Sequence, residues 1–235
     1  MSEIKLAALI QARLSSERCK GKMLRPFAGT TLIDVALEKF AGRLSVPLYF
    51  AVHEPDLIYK YAEHAKLSDY DFRLLCRNKK SAAADDIGVV MNYLDRIDAD
   101  FIMMINPCHA FLTIDTVEET INEVRGPLFS CDPAAKSLTS TITSQGWYYD
   151  AQGCPINHPD PRCLDTKRTW PLTEVAHAFH VFNKHRFIDE GIFWRNAPLD
   201  PVFHCIPPVE ALDIDTELDF EVAEALWKAR RGGNR

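Results

Sequence analysis

Short apolar runs alternate with amphipathic segments through the first half of the chain. The runs that predict buried strands are residues 5–11, 46–52, 72–76 and 100–106. The segments that predict helices are residues 31–40, 55–66, 84–97 and 114–125. Because strands that alternate with helices are typical of βαβ units, the pattern predicts an α/β fold with a mostly parallel sheet.

The segment "TLIDVALEKF" shows how such a helix is recognised. Thr31 is followed three residues later by Asp34, which is a capping-box signal, and Leu32, Ala36 and Phe40 share one face. Residues 84–97 show the same periodicity through Ile87, Val90, Met91 and Leu94.

The pattern changes after residue 125. Residues from 128 to about 165 carry alternating strands and several prolines with little helical periodicity. The βα pattern then returns with "HAFHVFN", a short helix near Phe187, a strand at 202–206, and "ALDID" before a last helix, "TELDFEVAEALWKAR". We therefore expect one domain over residues 1–235, with residues 128–176 inserted as a β-rich arm.

Composition narrows the class of protein. A chain of 235 residues with 47% hydrophobic residues can bury a substantial core, and it contains no apolar run long enough to cross a membrane. The net charge of −6 argues against nucleic acid as a partner. The first residues lack the pattern of a signal peptide, and seven cysteines without a repeated spacing suggest reduced thiols. We expect a cytoplasmic protein that binds neither membranes nor nucleic acids.

Two groups of residues raise the possibility of a metal site. Cys154, His158 and Cys163 lie close in sequence, but a closed structural zinc site requires four ligands and no paired CxxC occurs. The second group is His177, His180 and His185; two of them alternate out of register along a predicted strand, so they are not expected to form one ligand face. Neither group is favoured as a metal site.

A polar loop follows the first predicted strand. In open parallel sheets, ligands bind beyond the carboxyl ends of the strands. Backbone amides near Ser15, Ser16 and Gly21 could form an anion-binding concavity there, and three cations could contact phosphate oxygens: Arg13, Arg18 and Lys22. The loop is neither a Walker A motif nor a GxGxxG fingerprint, and the alternative is a solvated basic loop.

The stretch "DID" places two carboxylates close together. If it lies on a strand, Asp213 and Asp215 project to the same face and repel each other unless a cation lies between them. Mg²⁺ fits, because it is commonly bound by one or two carboxylates plus substrate phosphates. The alternative is an acidic turn in which Thr216 and Asp219 cap the next helix.

A second cationic cluster follows the third predicted strand. It comprises Arg77, Lys79 and Lys80, with Ser81 beside them. Because it lies at the same kind of sheet edge, it could also face a phosphate, although the two lysines could equally be solvated.

These motifs resemble those of a known family. "QARLSSERCKGKML" is similar to the AR-x-x-S-x-R-x-x-GK signature of sugar cytidylyltransferases, and "ALDIDTELDFEVAEALW" is similar to the closing IDIDT-x-x-DF segment of acylneuraminate cytidylyltransferases. The resemblance implies a three-layer, Rossmann-like, mostly parallel sheet of the nucleotide-diphospho-sugar transferase type. It also implies that the β-rich arm forms a homodimer, and that CTP and an acidic keto-sugar give a CMP-sugar and pyrophosphate with Mg²⁺.

The resemblance also implies roles for particular residues. Arg13, Lys22 and Asp213 would be catalytic, and Asp213 and Asp215 would hold the metal. Asp213 or a metal-bound water are the candidates for the general base. The nucleotide would contact residues of both cationic segments: Ala12, Arg13, Ser16, Arg18, Gly21, Lys22, Arg77 and Ser81.

The chain departs from the family pattern on the acceptor side. The family's Gln-Pro-Thr-Ser-Pro-Leu-Arg-like loop is replaced by residues 106–112, "NPCHAFL", and its Asn-Gly-Ala-Ile-Tyr-Ile segment is replaced by "AHAFHV". The residues expected near the acceptor are Asn106, His109, His177 and His180. The acceptor could therefore be a different acid, the nucleotide could differ, or the chain could be a non-catalytic relative that binds nucleotide.

Overall fold

A seven-stranded sheet organises the part of the chain that the structure, a computed structural model, describes: residues 4–66, 71–131, 136–157, 160, 162 and 164–232. Its strands are β1 (Leu6–Gln11), β4 (Leu48–Val52), β5 (Phe72–Cys76), β6 (Phe101–Ile105), β7 (Ser137–Ser144), β8 (Leu172–Asn183) and β9 (Val202–Cys205). The order is β5-β4-β1-β6-β8-β7-β9, and only β8 runs antiparallel to its neighbours. The predicted mostly parallel α/β fold is confirmed. A small hairpin of β2 (Pro26–Phe27) and β3 (Thr30–Thr31) precedes the first helix.

The central strands are apolar because both of their faces are covered. Alternate residues of β1 enter two different cores: Ala8 and Ile10 pack on one side of the sheet, and Ala7 and Leu9 pack on the other. This division confirms the predicted three layers. The register pairs Ile10 of β1 with Ile105 of β6, so the loops that follow these two strands leave the same edge of the sheet.

Helices surround the sheet at the positions that capping and periodicity indicate. They are α1 (Leu32–Phe40), α2 (Pro55–Ala65), α3 (Lys79–Ala83), α4 (Ile87–Val90), α5 (Ile114–Arg125), α6 (Pro127–Cys131), α7 (Lys184–Glu190) and α8 (Glu217–Gly232). The predictions for α1, α2, α5, α7 and α8 are confirmed. Among the described residues, no helix is both long and apolar enough to span a bilayer, and the six described cysteines are free thiols.

The cap of α1 offers a test of these assignments. The Thr31 hydroxyl accepts a hydrogen bond from the Asp34 amide at 3.2 Å and donates one to the Asp34 carboxylate at 2.7 Å. Thr31→Ala is expected to lower the free energy of unfolding by about 1 kcal/mol, measured by urea denaturation, because the first turn loses its cap. Thr31→Ser, which keeps the hydroxyl, should retain most of the stability; an alanine variant as stable as the wild type would contradict this role.

The single helix predicted over residues 84–97 is wrong. The structure has α4 and a 3₁₀ turn at Leu94–Arg96 there, and α3 ends just before this segment. The Asp86 side chain accepts from the Val89 amide at 3.0 Å, and this cap begins a new helix inside the predicted one. Met91 and Leu94 are buried and Val90 packs against them, whereas Ile87 is exposed.

Residues 128–176 contribute their strands to the central sheet. β7 pairs with β8 from Ser137–Phe182 to Ser144–Leu172, whereas β6 pairs only with residues 179–183 of β8. The far half of the β7–β8 pair therefore extends beyond the length of β6. Between the two strands, the described residues form turns with one isolated bridge, Tyr149–Pro155, and a 3₁₀ turn at Thr166–Arg168. The alternating strands predicted within residues 145–165 are absent from the described residues.

Candidate active site

A cleft of about 740 Å³ opens at the carboxyl edge of the sheet. It lies where the loops after β1 and β6 meet the segment that precedes α8. Its lining combines four parts of the chain: Gln11, Ala12, Arg13, Ser15, Ser16, Glu17, Arg18, Lys22, Met23, Ala83, Asp85, Asn106, Pro107, Cys108 and Asp215. This is the edge at which open α/β sheets bind their ligands.

The loop of residues 12–22 supplies most of the polar lining. Arg13 is exposed in the cleft and forms no hydrogen bond or ion pair with another described residue. The Leu14 amide donates to the Glu54 carboxylate at 2.9 Å, which fixes the start of the loop. Gly21 adopts a left-handed φ of 65°, and its carbonyl accepts from the amides of Leu24 and Arg25. The glycine therefore closes a turn that a side chain would strain.

Lys22, Arg18 and Asp215 form an ion-pair network at the cleft wall. The Lys22 ammonium donates to the Ile214 carbonyl at 2.6 Å and to Asp215 Oδ1 at 3.0 Å. Arg18 Nη2 donates to Asp215 Oδ2 at 2.8 Å. Although burial favours the neutral carboxyl group, Lys22 and Arg18 hold the pKa of Asp215 below its ordinary value. Burial likewise opposes the charge of Lys22, but contacts with Cys108 and Asp215 raise its pKa.

Asp213 has different neighbours from Asp215. Residues 211–215 lie outside the strands, so the alternation that was expected to align the two carboxylates does not apply. Asp213 Oδ1 is buried without a hydrogen-bond partner and lies 3.9 Å from Nδ1 of His109, which is also buried and unpartnered. Burial and the charge of Asp215 raise the pKa of Asp213.

Asp213 and Asp215 supply the kind of oxygen ligand that binds Mg²⁺. Among the described residues, no group of three or more His, Cys, Asp or Glu side chains is arranged to hold a metal. Mg²⁺ does not require such a group, because one or two carboxylates plus substrate phosphates commonly bind it. Asp213 Oδ1 has no hydrogen-bond partner but is buried, both oxygens of Asp215 accept from cationic side chains, and of the two residues only Asp215 lines the cleft. His158 and Cys163, from the zinc grouping that the sequence does not favour, lie outside the described residues.

The residues predicted near the acceptor form a connected group behind the cleft. Asn106 lines the cleft, and its Nδ2 donates to the His177 carbonyl at 3.3 Å. His109 is buried, with Nε2 at 2.9 Å from the Ala176 carbonyl. Because a carbonyl only accepts, Nε2 carries the proton and Nδ1 of the neutral ring is an acceptor. Burial lowers the pKa of His109 to about 4, so the ring is neutral near pH 7.

His177 and His180 contact each other, which corrects the sequence prediction. A register shift between Thr139 and Thr141 and a φ of 55° at His177 mark a bulge in β8. The bulge interrupts the side-chain alternation and brings Nδ1 of His177 to 3.3 Å from Nε2 of His180. His180 Nδ1 also lies 2.7 Å from the Thr139 hydroxyl. Neither histidine lines the cleft.

The lowered pKa of His180 predicts that the stability of the protein depends on pH. Burial, followed by the neighbouring His177 and His109, lowers its pKa to about 4 in the folded protein, whereas an unfolded histidine titrates near 6.5. The unfolded state therefore binds more protons between these values, and stability falls as the pH drops from about 6.5 towards 4. Between pH 7 and 5 we expect a loss of about 2 kcal/mol through this residue.

Urea denaturation at pH 7 and pH 5 measures this effect. The variant His180→Gln should lose less stability between the two values than the wild type. His185→Gln is the matched control, because the side chain of His185 is 63% exposed. Equal pH dependence in the wild type and His180→Gln would contradict the assignment.

Arg77 and Ser81 lie behind the cleft rather than in its lining. Arg77 is buried, and its guanidinium donates to the hydroxyl of Ser81 at 3.1 Å and to the carbonyl of Ser81 at 2.6 Å. The Ser81 hydroxyl donates to the Val90 carbonyl at 2.6 Å. Burial lowers the pKa of Arg77. This network holds the segment that carries Ala83 and Asp85 to the cleft, and Lys79 and Lys80 are exposed.

Several residues at the site were not predicted from the sequence. Glu54 holds the loop through Leu14, and Cys108 lies beneath the Lys22 ammonium. Asp85 lines the cleft; in the sequence, its acidic character indicated only a helix N-terminus. The position of Cys108, two residues after a predicted strand end, was the available signal for its place at the site.

Comparisons with known proteins give a partial family match and structures of similar fold. A cytidylyltransferase family model matches residues 7–42, which span β1, the loop of residues 12–22 and α1. A CMP:2-keto-3-deoxy-manno-octonic acid synthetase complexed with CTP is similar with a TM-score of 0.63 and 14% identity, covering 96% of this chain and 99% of that chain. No curated protein sequence matches significantly.

A second solved structure is similar to the same extent. It is the 4-diphosphocytidyl-2C-methyl-D-erythritol synthase from Anaerococcus prevotii, with a TM-score of 0.62, 11% identity and 96% coverage of both chains. At such identities the two structures establish the fold, which is an α/β fold of the nucleotidyltransferase type. Neither of these two proteins is an acylneuraminate enzyme, so that branch of the family stays a prediction from the closing motif.

Proposed function

We propose that the protein is a cytidylyltransferase that transfers CMP from CTP to a small acidic, sialic-acid-like keto-sugar acceptor and releases pyrophosphate. The observation that carries the proposal is the cationic loop of residues 12–22, which lines the cleft at the carboxyl edge of the sheet. The same loop lies within the segment that matches the cytidylyltransferase model. The synthetase structure of similar fold is a complex with CTP.

The site residues have separate roles in this proposal. Arg13 and Lys22 bind the triphosphate and stabilise charge as pyrophosphate departs, and Arg18 and Ser16 orient it. The backbone at Ala12 and the turn at Gly21 set the path of the loop. Arg77 and Ser81 support the residue 79–85 segment from behind. Positioning and electrostatics carry most of phosphoryl transfer, which suits a site whose lining includes three cations, Arg13, Arg18 and Lys22.

The acceptor hydroxyl attacks the α-phosphorus in line with the departing pyrophosphate. Lys22, held by the Ile214 carbonyl and Asp215, keeps a fixed positive charge at the wall of the cleft. Asp213 and Asp215 are the residues that would hold Mg²⁺. When bound, the ion would neutralise charge on the phosphate oxygens. Asp213, whose pKa is raised by burial and by the charge of Asp215, is the candidate to accept the proton of the attacking hydroxyl.

A second candidate function differs from the first only in the acceptor. The part of the β6 loop that lines the cleft consists of Asn106, Pro107 and Cys108, which are uncharged near pH 7. An acceptor that carries hydroxyl groups but no carboxylate would fit this wall. The similar structure of 4-diphosphocytidyl-2C-methyl-D-erythritol synthase makes such an acceptor worth testing.

Pyrophosphate release from CTP and Mg²⁺, measured with a panel of keto-sugar acids and neutral sugar alcohols, tests both candidates. We expect release with an acidic acceptor, and release with neutral acceptors alone would favour the second candidate.

Thermal shifts with CTP, UTP, GTP and ATP test the identity of the nucleotide, and CTP should give the largest increase in melting temperature. A CTP shift that depends on Mg²⁺ without turnover of any acceptor would indicate a non-catalytic relative. The predicted homodimer is tested separately by light scattering.

A further inference from the structure

A second cavity, of about 440 Å³, lies on the far side of the loop of residues 106–112. Phe111 and Trp227 form its apolar part, and Lys39, Arg230 and Arg231 bring three cations to it. We call it the Trp227 cavity. It shares no lining residue with the cleft described above.

The charges at the Trp227 cavity are all of one sign. No carboxylate is among its described lining residues, although the whole chain carries a net charge of −6. Arg230 and Arg231 are exposed and form no hydrogen bond or ion pair with another described residue. The guanidinium carbon of Arg230 lies 5.4 Å from the Phe111 ring centroid, and that of Arg231 lies 5.1 Å from the Trp227 ring centroid. Both arginines therefore have donors available to an anion.

The indole N–H of Trp227 lacks a hydrogen-bond acceptor. Its Nε1 is buried and has no hydrogen-bond partner. A buried indole N–H normally finds an acceptor. The Phe111 and Trp227 centroids lie 5.6 Å apart at an interplanar angle of 59°, so the two rings form an apolar corner. The cavity thus combines an aromatic corner with two guanidinium groups that have no carboxylate partner among the described residues.

Lys39 connects the cavity to the loop of residues 106–112. Its ammonium donates to the carbonyls of Ala110 at 2.8 Å and Leu112 at 2.7 Å. Glu210, whose charge acts on Lys39, accepts hydrogen bonds from Thr113. Burial lowers the pKa of Lys39 to about 7, against the opposing influence of Glu210. A bound anion would stabilise the ammonium, and with it the loop whose other end, Asn106 to Cys108, lines the cleft.

We propose that the Trp227 cavity binds a small ligand that consists of a planar ring and an anionic group. The ring packs against Phe111 and Trp227, and the anion pairs with Arg230 and Arg231. The site is separate from the nucleotide cleft and does not depend on the proposed function.

Phenyl phosphate is a minimal probe for such a ligand. Isothermal titration calorimetry should detect its binding to the wild-type protein and at least a tenfold weaker affinity in R230A/R231A. Lys22→Met, altered in the other cleft, should bind it like the wild type, as should Lys228→Ala, altered on an exposed position of the same helix. Circular dichroism checks that each variant is folded. The titration contains no CTP, so it tests the cavity whether or not the protein transfers CMP.

Three further probes define the ligand class. Benzoate should also bind if any anion linked to a ring suffices. If benzoate does not bind and phenyl phosphate does, the site is specific for phosphorylated ligands. Inorganic phosphate and phenol should each bind at least tenfold more weakly than phenyl phosphate, because each supplies half of the contacts. The proposal is overturned if the wild type does not bind phenyl phosphate, if R230A/R231A binds it unchanged, or if Lys22→Met abolishes binding.

Discussion

Lys22→Met is expected to lower the rate of CMP transfer from CTP by about 10²- to 10³-fold, the usual cost of removing one fixed donor from a developing negative charge. The Lys22 side chain is only 10% exposed, and the Ile214 carbonyl and Asp215 hold its ammonium at the cleft wall. Methionine fills a similar volume without the charge. The measurement is kcat/KM for CTP from pyrophosphate release, with the acceptor that the panel identifies.

Lys20→Met is the matched control for this prediction. Lys20 lies on the same loop, and it is exposed and outside the cleft lining. The control variant should transfer CMP at the wild-type rate, which separates the fixed ammonium of Lys22 from the general positive charge of the loop. Thermal melting of both variants shows whether the loss arises from unfolding. Wild-type kcat/KM in a folded Lys22→Met protein would remove Lys22 from the mechanism.

The parts of the fold that follow from local sequence were predictable. β5 and α5 have the predicted bounds, because an apolar run between turns and a threonine cap before helical periodicity are signals within a few residues. Residues 84–97 keep part of their apolar periodicity, through Val90, Met91 and Leu94, but Asp86 offers the backbone a competing cap. Whether such a side chain caps a new helix or faces solvent depends on the packing around it.

The residues of the candidate site likewise divide into those that the local sequence predicts and those that it does not. Arg13, Arg18 and Lys22 could be predicted to face a ligand because they follow a buried strand directly, and the structure places all three at the cleft. The contact between His177 and His180 could not, because it depends on a bulge between paired strands whose register is set by distant residues. Arg77 was predicted at the right edge of the sheet, but its partner is Ser81, four residues away.

Asp200→Asn is expected to lower the free energy of unfolding by about 3–5 kcal/mol, the range found when one partner of a buried ion pair is removed. Arg186 Nη1 lies 2.6 Å from Asp200 Oδ2, and the two side chains are only 8% and 6% exposed. Asp200 also accepts from the Ser137 hydroxyl at 2.5 Å and from the Arg195 amide at 3.2 Å. The carboxylate thus joins β7, α7 and the segment before β9, and its loss leaves a buried guanidinium uncompensated. Urea denaturation measures the change.

The double variant Arg186→Met/Asp200→Asn distinguishes the cost of the unpaired charge from the value of the pair. If the unpaired guanidinium causes the loss, the double variant should be more stable than Asp200→Asn alone, because no uncompensated charge then remains buried. Asp189→Asn, on an exposed position of α7, should change stability by less than about 0.5 kcal/mol. A loss below about 1 kcal/mol in Asp200→Asn would mean that water or another group replaces the carboxylate, and that this ion pair does not hold the three segments together.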